Sequence, residues 1–342
     1  MSIEAVALSL PSVVHTAESI ACQSGADPSF ISDKVGLQTR YVLGENEGGV
    51  SLAAQACEKL FTKYPWLRDK IKLLVFVTQS PDQRIPHNAP QLAHALSLGT
   101  DVASFDLALG CSGYVYGLDV AMGFMERIQI EHALLVTCDP YSRSIAAEDR
   151  DTNCVFGDAA SATWLRLHGG RCQALSRDFG TDGGRGSAIE ITHGGVLHPM
   201  VSLCTNSDSS SVESDGLRLR MRGRSVYNFV LDRIPSSLDA CLNRAGFTIT
   251  DVDIFVLHPG SKFMLDALVR KAGLPPERVP FNMKRMGNVV STSIPALLAD
   301  LDTERRLDGA LVLMSGFGVG LSWATSLWRF ESTINSLTPT FL

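Results

Sequence analysis

The chain states one order of elements twice, and that repetition limits its folds more than any single residue does. In the first half, a stretch with helical spacing over Leu52–Tyr64 precedes the apolar run Leu73-Leu74-Val75-Phe76-Val77. That run is short and rich in branched side chains, as a strand covered on both faces must be. A helix over Ala89–Leu98, a strand over Phe105–Leu109, a helix over Val115–Ile128 and a buried strand over Ala133–Thr137 follow. The second half repeats the order with a helix over Val226–Ala245, a strand over Ile254–Leu257, helices over Lys262–Ala272 and Ile294–Leu301, and a strand over Ala310–Met314. Leu74 and Leu134 are 60 residues apart, and Ile254 and Leu311 are 57 apart. Any α/β protein alternates, but two matched series predict a duplicated, layered architecture. The division read from the sequence is a first half at 1–167, a loop-rich connection at 168–222, a second half at 223–331 and a tail at 332–342. Within the connection, Ser207–Ser214 is polar and is expected to be mobile.

Composition narrows the function. The chain has 342 residues, of which 45% are hydrophobic and 19% charged, so it can bury a large core. A formal charge of −6 with scattered basic residues argues against nucleic acid as a ligand. No apolar run approaches a membrane span, and no secretory signal is visible at Met1–Ala5. The eight cysteines include no C-x-x-C pair, so neither zinc spacing nor a disulfide framework is expected, and the default is a reduced, cytoplasmic protein.

Three residues stand where chemistry is done. Cys111 follows a strand and lies in the turn Gly110-Cys111-Ser112-Gly113, which opens a helix. The positive end of a helix favours thiolate, and a thiolate attacks thioesters to give an acyl-enzyme. An isolated cysteine is more often a buried structural one, the reading that suits Cys57, Cys138, Cys154, Cys172 and Cys241. His258 ends a strand and precedes Pro259-Gly260; a satisfied loop histidine is the plain alternative. Asn288 lies just before a helix, where a capping role is the alternative. By the internal repeat, His258 and Asn288 emerge at strand ends equivalent to those leading to Cys111, so the three can converge on one pocket.

The motifs, taken in order, carry a resemblance. They are Ala108-Leu109-Gly110-Cys111-Ser112-Gly113, Asp149-Arg150, Phe156-Gly157-Asp158-Ala159-Ala160, Met221-Arg222-Gly223-Arg224, the His258 loop, Gly287-Asn288 and Gly316-Phe317-Gly318-Val319-Gly320-Leu321-Ser322-Trp323. Over nearly its whole length the chain resembles the beta-ketoacyl synthase III family of thiolase-fold enzymes, which condense an acyl-CoA with malonyl-acyl-carrier-protein. The resemblance implies two βαβαβ halves in a five-layered α-β-α-β-α arrangement, a homodimer, and a place in lipid or fatty acid biosynthesis. It implies that Cys111 takes the acyl group, that the backbone N–H groups of Cys111 and Val319 form an oxyanion hole, and that His258 and Asn288 hold the malonyl thioester carbonyl. Decarboxylation then drives the reaction, so no metal or redox cofactor is implied.

The resemblance also places Phe30 and Arg150 at the CoA site. It gives the loop Thr78–Pro86 to the partner's acyl pocket, with Ile85 where acetyl-specific members are aromatic and Arg84 beside it. A primer longer than acetyl is therefore expected, or one ending in a carboxylate if Arg84 faces the pocket. The chain departs from the family at His258-Pro259-Gly260-Ser261, where His-Gln-Ala-Asn is usual. His-Pro-Gly is shared with type III polyketide synthases, which extend with CoA thioesters. The family's docking arginine aligns with Phe263, and Lys262 is adjacent. A degradative thiolase would need a second cysteine near Met314–Phe317, where there is none. A non-condensing acyltransferase remains compatible with Cys111 and His258. A non-catalytic heterodimer partner is disfavoured because all three residues are present.

Overall fold

The computed structural model describes residues 1–199 and 216–332. In chain order, the first half comprises β1 (Ser2–Ser9), the ribbon strands β2 (Val13–Thr16) and β3 (Thr39–Val42) with α1 (Ala17–Ser24) between them, and α2 (Gly49–Lys63). It continues through β4 (Ile71–Val77), α3 (Asn88–Ala95), β5 (Ala103–Leu107), α4 (Gly113–Ile128), β6 (His132–Cys138) and β7 (Ala160–Arg166). The second half opens with β8 (Cys172–Thr181), the short pair β9 (Ile189–Glu190) and β10 (Arg220–Met221), and α5 (Gly223–Ala245). It closes with β11 (Ile254–Leu257), α6 (Lys262–Ala272), α7 (Met283–Met286), α8 (Ser293–Thr303), β12 (Leu311–Gly318) and β13 (Ser322–Phe330).

The repeat is visible in the sheets. The first runs β1-β7-β6-β4-β5 and the second β8-β13-β12-β11. Strand for strand the directions agree: β1 and β8 pair antiparallel with β7 and β13, which pair antiparallel with β6 and β12, which pair parallel with β4 and β11. Among the described residues, only β5 lacks a counterpart. The equivalent stretch between α6 and α8 carries Pro275, Pro276 and Pro280, which cannot donate ladder hydrogen bonds.

Alternation along β4 builds the layers. Leu74 and Phe76 face α2 and α3 through Leu52, Ala56, Leu60 and Leu92. Leu73, Val75 and Val77 face the opposite way, onto α4 and α8, which lie between the sheets and also meet Val256, Val312 and Met314. The far side of the second sheet, with Phe255, Leu257, Leu311 and Leu313, is covered by Phe229 and Val230 of α5 and Leu265 and Leu268 of α6. The result is the five-layered α-β-α-β-α order. Truncating a fully buried member such as Leu134 to alanine is expected to cost about 2–5 kcal/mol.

The connection at 168–222 is more ordered than its composition suggested. It contains the ten-residue strand β8, an edge strand with mixed burial whose residues alternate too weakly to read as a strand. Ser207–Ser214 lies outside the described residues, as does the tail beyond Ser332. Among the described residues, no helix is long and apolar enough to cross a membrane.

Candidate active site

The strand-to-helix turn that carries Cys111 is held by its glycines. The Gly113 N–H donates to the Gly110 carbonyl at 2.7 Å, and α4 starts immediately after Ser112. A Cβ on Gly113 would meet Val77 Cγ1 at 2.4 Å, so the turn can lie against β4 only without a side chain there. The loop from β12 approaches the same point. A Cβ on Gly316 would come within 2.5 Å of the Cys111 carbonyl oxygen. The backbone N–H groups of Val319 and of Cys111 itself favour the thiolate form of Cys111.

Cys111 is 5% exposed, and burial raises its thiol to about 12, with the nearby Asp139 carboxylate adding to the rise. The two N–H donors pull in the opposite direction but do not prevail. The thiolate expected from the helix terminus alone is thus not the resting form, because desolvation of the charge outweighs it.

His258 follows β11 and is held by its own N–H, which donates to the Ser315 carbonyl at 2.8 Å. The side chain is 2% exposed, its Nδ1 is buried without a hydrogen-bond partner among the described residues, and its ring stands edge-on to Phe317 at 5.8 Å. Burial alone lowers its pKa to about 3, so the imidazole is neutral at working pH. It is not a satisfied loop histidine.

Asn288 is not a helix cap either, since α8 begins at Ser293 behind Thr292. Its backbone is stitched into the first half. The Asn288 N–H donates to the Val155 carbonyl at 2.9 Å, and its carbonyl accepts from the Gly157 N–H at 3.0 Å. The Val290 N–H donates to Asn288 Oδ1 at 2.9 Å, which orients the amide NH2 towards His258, with Nδ2 and His258 Nε2 3.5 Å apart.

All three residues line one cavity of about 830 Å³. Its inner wall is apolar, with Val155, Phe156, Ile189, Met221 and Phe317. Towards its exposed rim stand Phe30 and Phe263, 43% and 50% exposed. Phe263 stacks on Tyr227 at 5.5 Å, and the Lys34 ammonium lies 5.9 Å from the Phe263 ring centre. Lys262 is paired with Asp266. Arg150 is exposed and does not line the cavity, although its neighbour Asp151 does. Arg84 and Ile85 are also exposed and lie outside this chain's own cavity, Ile85 at 88%. Sequence reasoning missed Lys34 and Tyr227, which carry no motif and come to the two sides of Phe263 only when the turn Phe30–Val35 packs against α6.

A cysteine presented by one repeat and a His–Asn pair presented by the other, at the joined ends of two sheets, define a thiolase-fold acyl-condensing transferase. Family models described as 3-oxoacyl-[acyl-carrier-protein] synthase III and its C-terminal part match residues 105–183 and 242–330. A beta-ketoacyl-[acyl-carrier-protein] synthase III of Streptococcus pneumoniae is 29% identical over 327 residues, covering 94% of this chain and 97% of the relative. A solved 3-oxoacyl-(acyl-carrier-protein) synthase III is 33% identical with a TM-score of 0.89, covering 96% of this chain and 99% of that one. Another, a 3-oxoacyl-(acyl-carrier protein) synthase from Burkholderia xenovorans, is 30% identical with a TM-score of 0.86, covering 96% and 93%. The chain belongs to the 3-oxoacyl-[acyl-carrier-protein] synthase III family.

Proposed function

We propose that the chain loads an acyl group from acyl-CoA onto Cys111 and condenses it with a malonyl thioester, giving a 3-oxoacyl thioester. The observation that carries this reading is that Cys111, His258 and Asn288 line one cavity, with the β12 loop packed so close that a Cβ on Gly318 would lie 2.8 Å from the Cys111 sulfur. In the first half-reaction the thiol gives its proton to neutral His258, the sulfur attacks the acyl carbonyl, and CoA leaves as its thiol after taking the proton back. The backbone N–H groups of Cys111 and Val319 stabilise the oxyanion formed on the way. In the second, His258 Nε2 and Asn288 Nδ2 donate to the malonyl thioester oxygen. Loss of carbon dioxide leaves an enolate, its α-carbon forms a bond to the acyl carbon, and the Cys111 sulfur departs as thiolate and takes a proton from solvent water. This chemistry needs electrophilic stabilisation and a base, both supplied by side chains and backbone.

The extender is proposed to ride on an acyl-carrier protein, as the names of the relatives indicate for them. A CoA-bound extender is the second reading, favoured by Pro259-Gly260-Ser261 after the histidine and by aromatic Phe263 at the rim. Rates with malonyl-carrier-protein and malonyl-CoA, measured on enzyme already acylated at Cys111, decide between them. Phe30 and Arg150 are proposed to meet the CoA nucleotide.

A homodimer is part of the proposal. Strand β5 is an open sheet edge, and its own Phe105 packs on Phe124 of α4 at 5.7 Å. Val120 and Ile128 of the same helix and Phe179 of β8, whose ring packs on Tyr116 at 4.9 Å, are exposed apolar residues on that side. An edge of this kind favours two-fold pairing. In such a dimer, the loop carrying Arg84 and Ile85 would serve the partner's cavity. The expected setting is the cytoplasm.

A further inference from the structure

Behind the site lies a buried polar net that the condensation chemistry above does not use. Asp139, the residue after β6, is 1% exposed. Its carboxylate accepts from Ser291 Oγ at 2.5 Å, from the Gln79 N–H at 2.6 Å and from Thr78 Oγ1 at 3.3 Å. These donors come from different parts of the site. Ser291 lies three residues after Asn288, in a turn that Val290 enters with φ of 52°, a left-handed conformation rare for a branched side chain. That turn persists because it is fastened on both sides of the strain. Asn288 Oδ1 takes the Val290 N–H, Ser291 bonds Asp139, and the Thr292 hydroxyl bonds that of Thr137 at 2.8 Å.

The Gln79 donor leads to Cys111. The Gln79 Oε1 accepts from the Tyr141 hydroxyl at 3.0 Å, and its Nε2 reaches the Ala108 carbonyl at 3.5 Å. A Cβ on Gly110 would lie 2.7 Å from Gln79 Oε1 and 3.3 Å from the Tyr141 hydroxyl, so both side chains press on the backbone just before Cys111. We infer that Asp139 is a positioning residue, whose carboxylate holds the Asn288 amide and the Cys111 turn in register across the two halves of the molecule. The inference rests on the roles proposed above for Cys111 and Asn288.

The charge of Asp139 also acts on the nucleophile. The titratable groups facing it are Cys111, Tyr141 and its chain neighbour Cys138, all three held in the neutral form by burial and by this carboxylate. Beyond Cys138 lie Asp158 and Asp82, which act on that thiol in the same sense. Burial raises Asp139 itself to about 6, and its three donors favour the ionised form at neutral pH. Removing the charge while keeping the shape therefore lowers the cost of forming the Cys111 thiolate.

The test is Asp139→Asn in the full chain, with three readouts. They are octanoyl transfer from octanoyl-CoA to Cys111 by intact mass, condensation of the acylated enzyme with a malonyl thioester, and the pH profile of Cys111 alkylation by iodoacetamide. Condensation is expected to fall roughly 10- to 100-fold and acylation only a few-fold, while the alkylation profile moves to lower pH. Equal losses in both half-reactions with an unmoved alkylation profile would show a merely structural role and overturn the inference. Ser291→Ala keeps the charge and guards against a variant that fails to fold. It is expected to slow condensation with the alkylation profile unmoved, and undiminished condensation in it would equally overturn the inference. Failure of the underlying reading would show separately, as wild-type enzyme that takes up no acyl group.

Discussion

Gly318 sits so close to Cys111 that a Cβ added to it would lie 2.8 Å from the sulfur and 2.9 Å from the cysteine Cβ. The approach is so close that a side chain at 318 must displace either the loop or the nucleophile. Gly318→Ala is expected to slow acylation roughly 100-fold or more, the loss typical of a missing oxyanion donor. Single-turnover acylation by octanoyl-CoA measures it, and a rate within a few-fold of wild type contradicts the proposed donor role of Val319.

The resting site holds a neutral thiol beside a neutral imidazole, with Cys111 raised to about 12 and His258 lowered to about 3. Alkylation of Cys111 by iodoacetamide should therefore keep rising with pH from 6 to beyond 9 without a plateau. A plateau below pH 8 would mean a preformed thiolate and would contradict this picture.

The same burial couples stability to pH. Between about 3 and 6.5 the unfolded chain binds a proton at His258 that the folded chain does not. The histidine's contribution is complete above 6.5 and is lost as pH falls towards 3. Asp139 works oppositely between 3.8 and about 6, where the folded chain holds the extra proton, and it offsets part of the effect. Comparison with His258→Asn isolates the histidine. The variant should gain on wild type by about 1.4 kcal/mol per pH unit as pH falls from 6.5, read from urea midpoints at pH 7 and 5. A difference that stays constant between those pH values contradicts the burial argument.

Primer choice follows from the loop at 78–86. If, as proposed, Ile85 stands at the partner's pocket where a larger aromatic residue would shorten it, octanoyl-CoA should acylate Cys111 faster than acetyl-CoA, each buried methylene adding about 0.8 kcal/mol. Fastest reaction with acetyl-CoA contradicts the pocket argument. A preference for glutaryl-CoA that disappears in Arg84→Ala would assign the pocket to charged primers.

Assembly can be tested on the apolar face of α4. Wild type should be a dimer by light scattering at micromolar concentration, and Val120→Arg, on an exposed position of that face, should shift it towards monomer. A wild-type monomer contradicts the proposed sharing of the loop at 78–86.

The parts of this fold that could be read from sequence are those buried on both faces. Leu73–Val77 and Ala133–Thr137 are apolar without interruption because helices cover both sides of them. Strands β7 and β13 were not legible because much of what they bury is hydroxyl. Ser161 pairs with Thr137 at 2.7 Å, and Thr325 with Ser315 and Ser237 at 2.9 and 2.8 Å, so residues that read as polar are satisfied inside. In the site, Cys111 and His258 carried their own signal as punctuation after strands. Asn288 follows the short helix α7 rather than the strand end expected for it, and only its Gly287-Asn288 motif marked it. Asp139 carried no such mark, although an acid directly after the buried run ending at Cys138 was a clue. Its partners Thr78, Gln79 and Ser291 are brought to it only by the fold.

The central claim is that Cys111 carries the acyl group and passes it on. Intact mass spectrometry of wild type incubated with octanoyl-CoA tests it directly. The account requires one octanoyl adduct, mapped to Cys111, absent from Cys111→Ala and discharged as a 3-oxoacyl product when a malonyl thioester is added. His258→Ala and Asn288→Ala should retain the adduct better than its discharge. No adduct on wild type, or an adduct of equal yield on Cys111→Ala, would contradict the account.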